Sequence, residues 1–240
     1  MTHSMNEALR HGLDTLAESV AEVKPKLRGW MHLSIAPLTL IGGIVLIALS
    51  PTTMTRIGST AFSLSALTLF TVSAIYHTGT WSPRTWAFLR RFDHANIFVL
   101  IAGSYTPLTL ILLEGTQRTA LLVTVWTCAV LGVLFRVFWT DAPRWLYTPI
   151  YIAMGWAAVF FIPGFVEGAS TKLGAGVGAA VLILVAVGGA LYTLGGVVYG
   201  FKRPNPWPQW FGFHEVFHSF TIVAFVTHYV GVSMATYALR

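Results

Sequence analysis

His214 and His218 flank Glu215 in the stretch GFHEVFHSF, residues 212–220. On a helix this spacing puts both imidazoles on one face, a turn apart. His-Glu-x-x-His is also the ligand-and-base pattern of helical zinc peptidases. Such a peptidase needs a third ligand, and no Asp or Glu follows Glu215. His228 lies about 21 Å from His214 along a helix, too far for the same ion. A third ligand must therefore come from upstream. His77 is the best candidate, with Ser73 four residues before it and one turn deeper. Three imidazoles leave the fourth position of a tetrahedral zinc site open. A nearby acid and hydroxyl can hold a water there or orient the ligands, and Asp93 is the expected acid. Glu215 is turned about 100° from His214, toward another helix or a headgroup.

These residues must be positioned by an unusually apolar chain. It is 55% hydrophobic and 10% charged, where soluble domains carry about a quarter charged residues. Seven apolar segments near 30–50, 57–79, 94–113, 119–139, 147–166, 174–200 and 214–237 are long enough to cross a bilayer as helices. They are continuous and do not alternate, which excludes a β-barrel. The expected fold is an all-α, polytopic seven-helix transmembrane bundle. Residues 30–240 form its single domain, and residues 1–29 form a cytoplasmic segment. Met5, Leu9, Leu13, Leu16, Val20 and Val23 make a helical stripe in that segment, as in an amphipathic helix on a membrane surface or packed on the protein.

Lys and Arg set the orientation. Arg10, Lys24, Lys26, Arg28, Arg84, Arg90, Arg91, Arg136, Arg144, Lys202 and Arg203 fall on one side; Arg56, Arg118, Lys172 and Arg240 fall on the other. The positive-inside rule then puts the N-terminus in the cytoplasm and the C-terminus outside. The net charge of +6 reflects topology in short loops and not nucleic-acid binding. With this orientation the end of the second span, the start of the third and the start of the seventh share one depth. His77, Asp93, His214 and His218 meet there, although none of them entered the charge count. Ionisable groups inside spans are functional candidates by default. His32 and His94 lie near the same level and read as interfacial histidines. Cys128 and the aromatic residues read as packing or interface anchors, and Gly188, Gly189, Gly195 and Gly196 as sites of close helix approach, with a ligand-facing groove there as the second reading.

Three blocks carry a family pattern: SAIYHTGTW (73–81), RRFDHANIFVLIAGSYTPL (90–108) and GFHEVFHSFTIVAFVTHYVGV (212–232). They resemble the hemolysin III family of bacterial membrane proteins, related to adiponectin and progestin receptors and more distantly to alkaline ceramidases. LRGWMH (27–32) is similar to bacterial members too. The resemblance implies a multi-pass protein of the bacterial inner (plasma) membrane. It implies a zinc ion held by His77, His214 and His218 near the cytoplasmic side, with Asp93 and Ser73 on the zinc-bound water.

Two kinds of function fit these readings. One is a zinc-dependent hydrolase of a lipid amide, ceramide-like, with Asp93 and Ser73 catalytic and membrane lipids as partners. The other is non-enzymatic: a membrane-homeostasis sensor, or a cytolytic or channel protein, in which zinc staples helices. An intramembrane peptidase using Glu215 ranks last.

Overall fold

Thr52 begins the second helix with a reciprocal cap. Its hydroxyl accepts the Thr55 N–H at 3.1 Å, and its own N–H reaches the Thr55 hydroxyl at 3.0 Å. Ser82 does the same work for the third helix, accepting the Thr85 N–H at 3.3 Å, with Pro83 in the first turn where its missing N–H costs nothing. In the computed structural model, which describes residues 25–240, helices are the only regular elements apart from one isolated bridge. They are α1 (Trp30–Ala48), α2 (Thr53–Thr78), α3 (Pro83–Leu112), α4 (Gly115–Phe138), α5 (Arg144–Gly155), a 3-10 segment (Ala157–Phe161), α6 (Ile162–Leu173), α7 (Ala175–Phe201) and α8 (Phe213–Tyr237). With α5 and α6 counted together, seven spans are long and apolar enough to cross a membrane. The amphipathic stripe expected over residues 5–23 lies outside the described residues.

Two expected boundaries shift. The third span was expected from residue 94, but α3 starts at Pro83. The cap at Ser82 and the good helix formers after it carry the polar stretch Arg84–Arg91 into the helix. Asp93 therefore sits in the third turn, about 15 Å from the helix start. The fifth span is broken rather than continuous. Pro163 lacks the N–H that would bond Val159 O, so the chain tightens into a 3-10 turn and starts again at Ile162. The freed backbone groups find a partner on α3: the Tyr105 hydroxyl donates to Gly155 O at 2.5 Å and accepts the Ala158 N–H at 3.0 Å. A lipid-exposed break would leave those groups unsatisfied.

The inner elements are α2 and α3, 61% and 72% buried over their most apolar windows against 11–33% for the other five spans. They approach closely because small residues line the contact: a Cβ on Gly58 would sit 2.7 Å from Pro107 Cα, and one on Gly103 would be 2.6 Å from Ser65 Cβ. Phe62 and Phe70 of α2 pack on Phe225 of α8, with ring centroids 5.4 and 5.1 Å apart. Outward faces carry Leu38, Ile41 and Val45 on α1 and Val123, Val130 and Leu134 on α4, all exposed as a lipid-facing surface would be. Cys128 belongs to that outer face of α4, so of its two expected roles it is not packed in the core.

The two ends of the bundle differ. Lys26, Arg28, Arg84, Arg90, Arg91, Arg144, Lys202 and Arg203 gather at one end with seven tryptophans (30, 81, 86, 139, 145, 207 and 210), an interfacial belt in composition. At the other end Lys172 lies 2.6 Å from Glu114, and that hydrogen bond holds the exposed carboxyl below its usual range.

Candidate metal centre

Local structure at the basic end brings three helices to one point. His77 lies in the last turn of α2 and His214 in the first turn of α8. Before α8, Trp207 and Phe211 exchange backbone hydrogen bonds at 3.0 and 2.7 Å, and Asn205 Oδ1 accepts the Phe213 N–H at 2.7 Å. This turn reverses the chain so that α8 starts against α2 and α3. Residues Pro25–Gly29 cross over it, with the Lys26 and Leu27 N–H groups donating to Gln209 O and Trp210 O at 3.1 and 3.3 Å. Gly29 adopts φ +87°, and a Cβ there would lie 2.8 Å from His77 Cβ. Only glycine lets this strap lie directly on the histidine.

The ligand atoms of His77, His214 and His218 lie within 4.8 Å of one another. His77 Nε2 and His214 Nε2 are 3.3 Å apart. A tetrahedral zinc ion with Zn–N bonds of 2.0–2.1 Å requires a nitrogen–nitrogen edge of about 3.3 Å, so this pair fits the ion. The ring centroids of His218 are 4.5 Å from His214 and 5.4 Å from His77. Asp93 Oδ2 is 3.8 Å from His77 Nε2, and Ser73, buried on α2, hydrogen-bonds the Asp93 side chain. All five residues named by the sequence thus occupy one volume, with His77 and His218 buried and His214 partly so.

Glu215 points elsewhere. Its Oε2 accepts the Gly212 N–H at 2.9 Å, capping α8, and its Oε1 accepts Arg28 Nε at 2.9 Å. Fully buried and with both oxygens engaged, it is a helix cap and strap anchor, not a base over the histidines.

Other expectations need correction. His32 is not interfacial: it is 2% exposed, stacks on His218 with centroids 3.8 Å apart and planes at 9°, and packs edge-on against Phe70 at 5.0 Å. The reason is that α1 abuts α8, a neighbour relation that no spacing rule encodes. His94 is turned inward too, its Nδ1 2.8 Å from Arg136 Nη2. Arg136, expected as a loop charge, is 1% exposed on the last turn of α4, with its guanidinium over the Tyr147 ring at 4.4 Å. The glycines of α7 divide. A Cβ on Gly188 would run into the His228 ring and one on Gly195 would touch Phe220 Cβ at 3.0 Å, whereas Gly189 meets nothing within 4 Å.

Gly189 instead lines a cavity of about 490 Å³. Its walls are largely apolar, including Ile97, Leu100, Leu108, Phe165, Leu182 and Val185; Ser73, Asp93, His94, His214 and His218 form one end, and His228 lines it farther along α8. The volume lies within the range of lipid- and drug-sized pockets. Trp156, Val159 and Ile162 of the broken span line the cavity and are also about half exposed, so it reaches the lipid-facing side between that span and α7.

Seven apolar spans, six of which line this cavity, with a histidine cluster at one end, define a polytopic membrane protein with a candidate metal centre. The chain belongs to the haemolysin-III related family, whose family model matches residues 20–229. It is 35% identical over 163 residues to a hemolysin-3 homolog of Bacillus subtilis (strain 168), covering 68% of this chain and 70% of that protein. It is 31% identical over 144 residues to hemolysin-3 of Bacillus cereus, covering 60% of this chain and 62% of that one.

Proposed function

We propose that this protein is a zinc-dependent hydrolase of lipid amides, ceramide-like in chemistry, working inside a bacterial inner membrane with its N-terminus and residues 1–29 on the cytoplasmic side. Residues 30–240 act as one domain. The observation that carries this reading is the 3.3 Å separation of His77 Nε2 and His214 Nε2, with Asp93 beside them, at one end of a lipid-sized apolar cavity.

His77, His214 and His218 are the ligands in this reading. A zinc ion there supplies Lewis acidity, polarising an amide carbonyl and making water acidic enough to react near neutral pH. The protein's own groups do the rest. Asp93 takes the proton of the attacking water and returns it to the departing amine. Ser73 donates its one O–H to the resting Asp93 carboxylate; once Asp93 carries the water's proton, that hydroxyl is free to turn to the developing oxyanion. The apolar walls hold the acyl chain and exclude bulk water.

A second reading, a sensor or cytolytic protein with structural zinc, draws on a different observation: the ring packing of Phe62 and Phe70 on Phe225 joins α2 and α8 away from the basic end, so an ion shared by His77 and His214 would tie the two helices at that end. Hydrolysis of N-acyl lipids by the purified protein, compared with Asp93→Asn, separates the two. The hydrolase reading expects turnover that Asp93→Asn abolishes with zinc content unchanged. Zinc-loaded wild type without turnover above background favours the staple.

A further inference from the structure

His94 has a chemistry that the proposed reaction leaves unused. It lies beside Asp93 on α3 and lines the same cavity, and its Nδ1 is 2.8 Å from Arg136 Nη2. A guanidinium has only donors and stays protonated in proteins. Nδ1 must therefore be the acceptor, and the single ring proton of the neutral imidazole must sit on Nε2.

The surroundings make this assignment durable. Arg136 is buried at 1% exposure, rests on the Tyr147 face at 4.4 Å, and reaches Trp139 O at 3.5 Å through Nη1. Among the described residues it forms no salt bridge; Asp141 pairs with Arg90 at 3.0 Å and Glu215 with Arg28 at 2.9 Å. No carboxylate among the described residues therefore competes with His94 for the guanidinium. On the other side, the Tyr151 hydroxyl donates to His94 O at 3.0 Å and pins the backbone of this turn. Nε2, on the ring edge opposite Arg136, makes no hydrogen bond among the described residues. A polar donor fixed in direction, at the polar end of an otherwise apolar cavity, is how pockets read the one polar group of an oily ligand.

We propose that Arg136 holds His94 as the Nε2–H tautomer and that this N–H is the specificity-determining donor for an acceptor oxygen, an amide or ester carbonyl or a hydroxyl, on a lipid lodged in the cavity. This rests on the reading of the cavity as a lipid site, but not on hydrolysis. Arg136 is a positioning residue that acts through His94. Such a donor discriminates because a lipid lacking the acceptor leaves it unpaired in an apolar site.

The test uses the full chain with Asp93→Asn as a non-turning background. Binding of a fluorescent N-acyl amide is compared with that of the alkyl analogue of equal length in which the carbonyl is a methylene. The Asp93→Asn protein should prefer the amide, and adding His94→Leu should reduce that preference about 10-fold, the worth of one hydrogen bond in an apolar site. His94→Gln, whose carboxamide N–H falls near the position of Nε2, should keep most of it. Arg136→Gln, which still donates to Nδ1, should behave like the background, and Arg136→Met like His94→Leu. Nitrogen-15 NMR of histidine-labelled wild type should show His94 protonated at Nε2, a readout independent of how the Arg136 variants fold. Unchanged preference in His94→Leu, or a proton on Nδ1, overturns the proposal alone. Failure of the Asp93→Asn protein to bind either probe overturns it together with the lipid reading.

Discussion

Helix α8 carries two kinds of histidine within one element. His228, toward its C-terminal end, is a single imidazole whose Nε2–H donates to Val185 O at 3.3 Å, with its ring edge-on to Tyr192 at 5.5 Å. Space for it comes from Gly188, where any Cβ would collide with the ring. His214 and His218, at the N-terminal end, instead face other imidazoles: His77 from α2, His32 from α1 and each other. Side chains that titrate inside a membrane are costly to bury. At His228 a backbone carbonyl and a missing side chain meet that cost. At the other end the nitrogens converge on one another, with His77 Nε2 and His214 Nε2 at 3.3 Å, a grouping that could hold a metal ion. Residue type and burial alone thus do not single out a candidate metal site; convergence of ligand atoms does.

Substitutions can break this contrast. On the proposed hydrolase reading the largest expected effect is on turnover: Asp93→Asn should lower hydrolysis of an N-acyl lipid by about 10²–10⁴-fold, the usual worth of a positioned acid–base group. His228→Asn should leave the rate within a factor of about two, since a polar amide can still donate toward Val185 O. Comparable losses from both would erase the distinction between the two ends.

Glu215→Gln sharpens it from another side. The variant keeps the shape of the cap but removes the charge that faces Arg28, so thermal denaturation should report a loss of about 1.5–3 kcal/mol, typical of hydrogen bonds to charged groups. Hydrolysis per bound zinc should be unchanged. A rate that collapses while zinc stays would return Glu215 to the role of base and revive the peptidase pattern.

Gly188→Ala probes the structural end alone. The added methyl meets the His228 ring, and overpacking of this kind costs about 1–3 kcal/mol. Zinc content should be that of wild type, as measured by elemental analysis.

Much of this molecule was legible in advance, for identifiable reasons. The spans follow from unbroken apolar runs, and the candidate site from an i, i+4 pair whose depth the Lys and Arg distribution matched to His77 and Asp93. What stayed hidden depends on lateral neighbours or on single backbone atoms. His32 reaches His218 only because α1 closes the bundle against α8. Arg136 turns inward because the Tyr147 face and His94 Nδ1 lie beside the last turn of α4, while charge counting treats any terminal arginine as solvated. The break in the fifth span had a local signal, Gly155 and Pro163, but hydropathy averages across both. The start of α3 also had one, Ser82-Pro83, masked by the polar residues that follow.

In the proposed site His77 and His214, 137 positions apart, share one ion. Elemental analysis with zinc X-ray absorption on purified wild type, His77→Ala, His214→Ala and His228→Ala tests it most directly. The expected result is one zinc per wild-type chain with nitrogen ligands at about 2.0–2.1 Å, near-complete loss in the first two variants, and wild-type content in the third. Zinc that persists undiminished in either His77→Ala or His214→Ala would contradict it.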